Sequence, residues 1–194
     1  QTDALMSRVT LKLPGGIAAV TLQVPGVHNI YNALAAAAAT AALGIDKELI
    51  ARGLESFQGV RGRMQKKSGL HHARLIDDTY NANPESVRAA LAVLAATAGK
   101  KILVLGDMGE LGKSAVDLHR TIGRDARKAG LDRLLTLGEL SAYAAEEFGQ
   151  GAQHFNTLDE LLNAAESLLT NDVTVLVKGS RFMQMERVIR QLEA

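Results

Sequence analysis

The sequence contains no cysteine, which removes disulfides and thiolate metal sites from consideration. That absence fits a reducing cytoplasm. Neither sign of charge is in surplus: 22 Lys and Arg face 21 Asp and Glu, for a formal net charge of +1. Aromatic residues make up only 4 %, and no basic stripe interleaves with them, so nucleic-acid binding has no footprint. No apolar run approaches the ~20 residues of a membrane span. The run Ala33–Leu43 is too short for that. No signal peptide is visible. What is present is a 47 % hydrophobic composition, rich in Ala and Leu, enough for one large domain or two small ones. The chain opens at Gln1 rather than Met and runs at once into strand-like sequence, so it reads as a piece of a longer protein.

Alternation in Val9–Leu13 and again in Ile17–Val24, around Pro14, Gly15 and Gly16, predicts an antiparallel hairpin. An alanine-rich helix follows to about Leu43, with Asn29 as a candidate N-cap and Gly44 ending it. Asp46 caps a second helix over 47–56, with Ile50 and Leu54 on one face. Residues 57–62 read as a linker. From Arg63 onward short apolar strands (near 73–78, 101–105, 133–137, 152–155 and 173–178) alternate with helices (near 84–98, 115–129, 139–148, 157–169 and 182–192). Such alternation predicts an α/β fold, a Rossmann-like doubly wound and mostly parallel sheet with right-handed crossovers. The expected division is residues 1–59 and 60–194.

In such sheets ligands sit beyond the carboxyl ends of the strands. The segment Leu75–Ser86 carries the densest polar chemistry, with Asp77, Asp78, Thr79, Tyr80 and Asn81 directly after an apolar run. Asn83, Pro84 and Glu85 are explained as a helix start. The others are not, and buried polar groups at a strand end are costly unless something uses them. The segment Gly106–Ser114 resembles a phosphate loop, but the first-glycine position of that motif falls on Asp107. A carboxylate there opposes a phosphate. The loop instead offers Asp107 and Glu110 to a cationic amine, or is a plain glycine-rich turn with Lys113 at the surface. Lys178, Ser180 and Arg181 flank Gly179 after the last strand, a combination suited to a carboxylate or phosphate, or to a simple N-cap with two solvated cations. His28, Asn29 and Asn32 share one side of a first helical turn, where amides could read a purine or ribose. Arg63 falls at the unit junction as either a solvated cation or a phosphate clamp. His71 and His72 have no third ligand nearby. Met183 and Met185 lie on different helical faces and read as packing residues.

Four segments together resemble the Mur ligase family: Gly26–Ala36, Asp77–Pro84, Val104–Gly112 and Val177–Met183. The resemblance spans essentially the whole chain, in order. The second and third segments resemble the branch that adds D-alanyl-D-alanine to UDP-N-acetylmuramoyl-tripeptide in peptidoglycan precursor synthesis. It implies the end of a central ATP-binding domain followed by the complete last domain. It also implies ATP and Mg2+ as cofactors, with N-terminal and central domains in cis, and a hinge at 57–63. The family's phosphate loop, and the Glu, His and Lys that hold magnesium, have no counterpart in this sequence, so the fragment is expected to be inactive alone. By resemblance, His28, Asn29, Asn32, Arg63, Asp78, Tyr80 and Asn81 serve ATP. Asp107, Glu110, Lys178, Ser180 and Arg181 face the dipeptide, and Arg63 and Lys178 are the catalytic cations. The alternatives are a non-catalytic nucleotide-binding α/β module and a phosphate-loop nucleoside triphosphatase built on Gly106–Ser114.

Overall fold

The computed structural model describes residues 6–194. Two compact units make up the chain, Val60 closing the first and Arg61 opening the second. No helix among the described residues is long and apolar enough to cross a membrane.

In the first unit, β1 (Ser7–Leu13) and β2 (Gly16–Leu22) pair antiparallel with Leu13 opposite Gly16. Alternation buries Leu11, Val20 and Leu22 on one face. That face packs against α1 (Val27–Ala42) through Ala33 and Ala37, one turn apart, and against α2 (Lys47–Ser56) through Ile50, with Leu54 alongside. Gly44, at φ 79°, takes the left-handed position just past the end of α1, and its N–H donates to the Ala41 carbonyl. Asp46 occupies the N-cap position of α2, but its side chain makes no capping bond. The start of α1 differs from expectation. Gly26 is the N-cap, and Asn29 lies inside the first turn. Its amide donates to the Pro25 carbonyl at 2.7 Å rather than accepting a backbone N–H.

The second unit is a six-stranded sheet. Its strands are β3 (Gln65–Ser68), β4 (Arg74–Asp78), β5 (Lys100–Gly106), β6 (Arg133–Leu137), β7 (Ala152–Phe155) and β8 (Val173–Lys178). The order is β3-β4-β8-β5-β6-β7, all parallel except β3, which pairs antiparallel with β4 at the edge. The helices are α3 (Pro84–Ala95), α4 (Ala115–Lys128), α5 (Ala142–Phe148), α6 (Leu158–Ser167) and α7 (Glu186–Leu192). The last, α7, starts later than the sequence patterning implied: Arg181–Met183 makes a separate 3-10 turn, and Gln184 at φ 50° breaks the chain before α7. On one face Ile102, Val104, Val175 and Val177 pack against Leu161 of α6 and Val188, Ile189 and Leu192 of α7. The intervening Leu103, Leu105 and Leu176 are fully buried on the other face. There α3, α4 and α5 pack side by side.

This winding positions the site. The chain leaves β4 and β5 towards the α3–α4 layer and leaves β8 towards α7 on the opposite face. Since β8 lies between β4 and β5, the crossovers part at the carboxyl ends of these three strands. That is the switch point at which doubly wound sheets open a crevice.

Candidate active site

The parallel register places Asp78 of β4 beside Lys178 of β8. Lys178 Nζ donates to Asp78 Oδ2 at 2.6 Å and to the Asn81 carbonyl at 2.8 Å. Both residues are buried. The other oxygen, Asp78 Oδ1, accepts the Met64 N–H at 3.2 Å. Lys178, expected as an open anion trap, is therefore a tie between two strand ends. Two opposite charges in a low dielectric attract each other more strongly than either attracts a solvated ligand. Asp77 is satisfied locally, its Oδ1 accepting from Thr79 Oγ1 at 2.6 Å and Thr79 N at 3.2 Å. Asn83 caps α3 reciprocally with Ser86, as the helix-start signature predicted.

Asp107, read in sequence as a carboxylate for an amine, has a different role here. It is buried, and its Oδ1 accepts the Ser141 N–H at 2.7 Å while both oxygens lie 3.1 Å from Leu140 N. It clasps the turn before α5. Gly138 completes that clasp, since a Cβ there would stand 2.5 Å from the carboxylate. The same engagement disposes of the phosphate-loop reading, because the first-glycine position is filled by a locked carboxylate.

Ser180 knits three loops. Its Oγ accepts the Gly109 N–H at 2.7 Å and donates to the Ala82 carbonyl at 3.1 Å, while its N–H donates to the Asp107 carbonyl at 3.0 Å. It is a brace rather than a free hydroxyl. Glu110 is the contrast. It is exposed at φ 60°, a left-handed conformation that side chains seldom adopt, and among the described residues nothing bonds to its carboxylate. Arg181 is also exposed, with Nη1 3.1 Å from Glu186 Oε1. Phe182 beside it is 63 % exposed, and its ring covers Gly109 so closely that a Cβ there would meet it at 2.8 Å.

Arg63 lies over Tyr80, 4.3 Å from guanidinium carbon to ring centroid. Tyr80 is half exposed, and its N–H donates to the Gly62 carbonyl at 3.0 Å. The exposed Asn81 accepts the Ala82 N–H at 2.9 Å. In the first unit, Asn32 reaches the Asn29 amide oxygen at 3.4 Å, and the exposed His28 ring folds back over Gly26. The second unit thus gathers Asp78, Tyr80, Asn81, Asp107, Glu110, Lys178, Ser180 and Arg181 at the ends of β4, β5 and β8, while His28, Asn29 and Asn32 belong to the first unit.

Sequence reasoning passed over His119, Met108 and Phe182. His119 had a visible signal: a lone polar residue in the buried series His119, Ile122, Gly123 and Ala126 of α4. Among the described residues no group of three or more His, Asp or Glu could hold a metal ion.

The chain is 40 % identical over 186 residues to UDP-N-acetylmuramoyl-tripeptide–D-alanyl-D-alanine ligase of Escherichia coli, covering 95 % of this chain and 41 % of that protein. The enzyme of the same name from Haemophilus influenzae is 37 % identical, with 96 % and 42 % covered. A crystal structure of MurF from Acinetobacter baumannii superposes with a TM-score of 0.89 at 37 % identity, over 99 % of this chain and 43 % of that one. The chain thus spans about two fifths of the length of the curated relatives it matches. Residues 62–181 match the family described as Mur ligase, glutamate ligase domain. The chain belongs to the Mur ligase family.

Proposed function

We propose that this chain is the C-terminal part of an ATP-dependent ligase that adds D-alanyl-D-alanine to UDP-N-acetylmuramoyl-tripeptide in the cytoplasm, for peptidoglycan precursor synthesis. The observation that carries the reading is the 40 % identity, over 95 % of this chain, to the Escherichia coli enzyme named for that addition. Residues up to 59 represent the end of the central ATP-binding domain, and 60–194 the ligase domain.

In the proposed reaction the γ-phosphoryl group of ATP passes to the terminal carboxylate of the tripeptide, giving an acyl phosphate and ADP. The dipeptide amine then attacks the acyl carbon, an amide forms and phosphate leaves. Most of the protein's work is positioning and charge neutralisation. On the nucleotide side, Tyr80 and Asn81 take the ribose, Asp78 framing them from its pair with Lys178, and Arg63 takes the phosphates; in the other unit His28, Asn29 and Asn32 carry the adenine-reading chemistry. The contact with the Tyr80 ring steadies the guanidinium, which keeps N–H donors for a phosphate. On the amine side the exposed pair Glu110 and Arg181 take the dipeptide's ammonium and carboxylate. Asp107, Lys178 and Ser180 frame them. No step is assigned to Mg2+ on this chain.

The test is ADP release by the full-length protein given ATP-Mg and UDP-N-acetylmuramoyl-tripeptide. Release should depend on D-alanyl-D-alanine and be absent with single amino acids. Turnover supported by a single amino acid, and not by the dipeptide, would overturn the reading.

A further inference from the structure

His119 is a fully buried titratable side chain that the proposed reaction leaves unused. Its Nδ1 lies 2.7 Å from the Ala115 carbonyl and its Nε2 lies 2.9 Å from Met108 N. A carbonyl can only accept and a backbone N–H can only donate. The two bonds therefore fix one tautomer, with the proton on Nδ1 and the lone pair on Nε2. A ring flip would place carbons against both partners.

The partner of Nε2 matters because of where Met108 stands. Three consecutive residues of the loop after β5 are each tied to a different element. Asp107 holds Leu140 and Ser141, Met108 is held by His119 of α4, and Gly109 is held by Ser180 after β8. The Met108 side chain is itself fully buried. Glu110 follows directly, untied and in a left-handed conformation. The backbone from which its side chain departs follows the three residues that are held. Of the three ties, only that at Met108 comes from a side chain in the middle of a helix.

We propose that His119 is a positioning residue for the amine substrate: by accepting the Met108 N–H it holds the loop so that Glu110 presents its carboxylate to an ammonium. The inference rests on the function proposed above. It predicts a selective effect, on the amine and not on the nucleotide, because Arg63, Tyr80 and Asn81 are held by bonds that do not pass through His119.

The experiment compares His119→Leu and His119→Gln in the full-length ligase. Leucine leaves the buried Met108 N–H without an acceptor, and KM for D-alanyl-D-alanine should rise about tenfold or more. KM for ATP should stay within about twofold. Glutamine offers a carbonyl to the same N–H and should recover most of the loss. A nitrogen-15 spectrum of the wild-type 194-residue chain should show His119 protonated on Nδ1. Equal rises in both KM values, no rise in a folded leucine variant, failure of glutamine to rescue, or a proton on Nε2 would each overturn the inference. Should leucine prevent folding, the glutamine variant and the spectrum still decide it. A wild-type ligase indifferent to the dipeptide would overturn the functional reading as well, whereas an active wild type with unselective variants would overturn this inference alone.

Discussion

Lys178 Nζ sits 2.6 Å from Asp78 Oδ2, a buried ion pair between residues that stand opposite one another on β8 and β4. Removing one member strands the other away from water. Lys178→Met should therefore lower the stability of the second unit by about 3–5 kcal/mol, read as a shift in the urea midpoint of the 194-residue chain. The double variant with Asp78→Leu should lose clearly less than the two single losses added together, because the members share one interaction. A single variant with an unmoved midpoint would show that the pair does not hold the strand ends.

Asp107 and Glu110 look alike in sequence and should behave oppositely. Asp107→Ala strips an acceptor from Leu140 N and Ser141 N, at a cost of about 2–4 kcal/mol in urea unfolding. Asp107→Asn keeps one acceptor oxygen and should lose less. Glu110→Gln, on an exposed and untied side chain, should stay within about 0.5 kcal/mol of the parent. Equal losses in Asp107→Ala and Glu110→Gln would refute the division of labour drawn between them.

The parallel strands were legible because burial on both faces leaves continuous apolar runs, such as Ile102–Leu105 and Val173–Val177. The edge strand β3 was not. Its Gln65, Lys66, Lys67 and Ser68 carry no apolar signal, since an edge strand is half solvated and its pairing with β4 resides in the backbone. The first turn of α1 was misread because Asn29 is a good capping residue by type, while the N-cap position falls on Gly26. For the site, sequence marked the polar strand ends but not which of their side chains bond to one another. Whether Lys178 faces a ligand or Asp78 is decided by cross-strand register, which no local pattern encodes. Whether Asp107 or Glu110 meets solvent is decided by the turn before α5, more than thirty residues away.

The sequence has no phosphate-loop motif, and Gly106–Ser114 holds a locked carboxylate at the corresponding first position. The 194-residue chain alone should therefore bind ATP-Mg weakly, with a Kd well above about 1 μM by isothermal titration. Binding tighter than that would mean that the residues present already form a phosphate site.

The loops after β5 and β8 are proposed as the amine side of a D-alanyl-D-alanine ligase, and steady-state kinetics of Glu110→Gln in the full-length enzyme test this most directly. Loss of one charge-assisted contact should raise KM for D-alanyl-D-alanine about tenfold or more while KM for ATP stays unchanged. A dipeptide KM equal to that of the parent enzyme would contradict it.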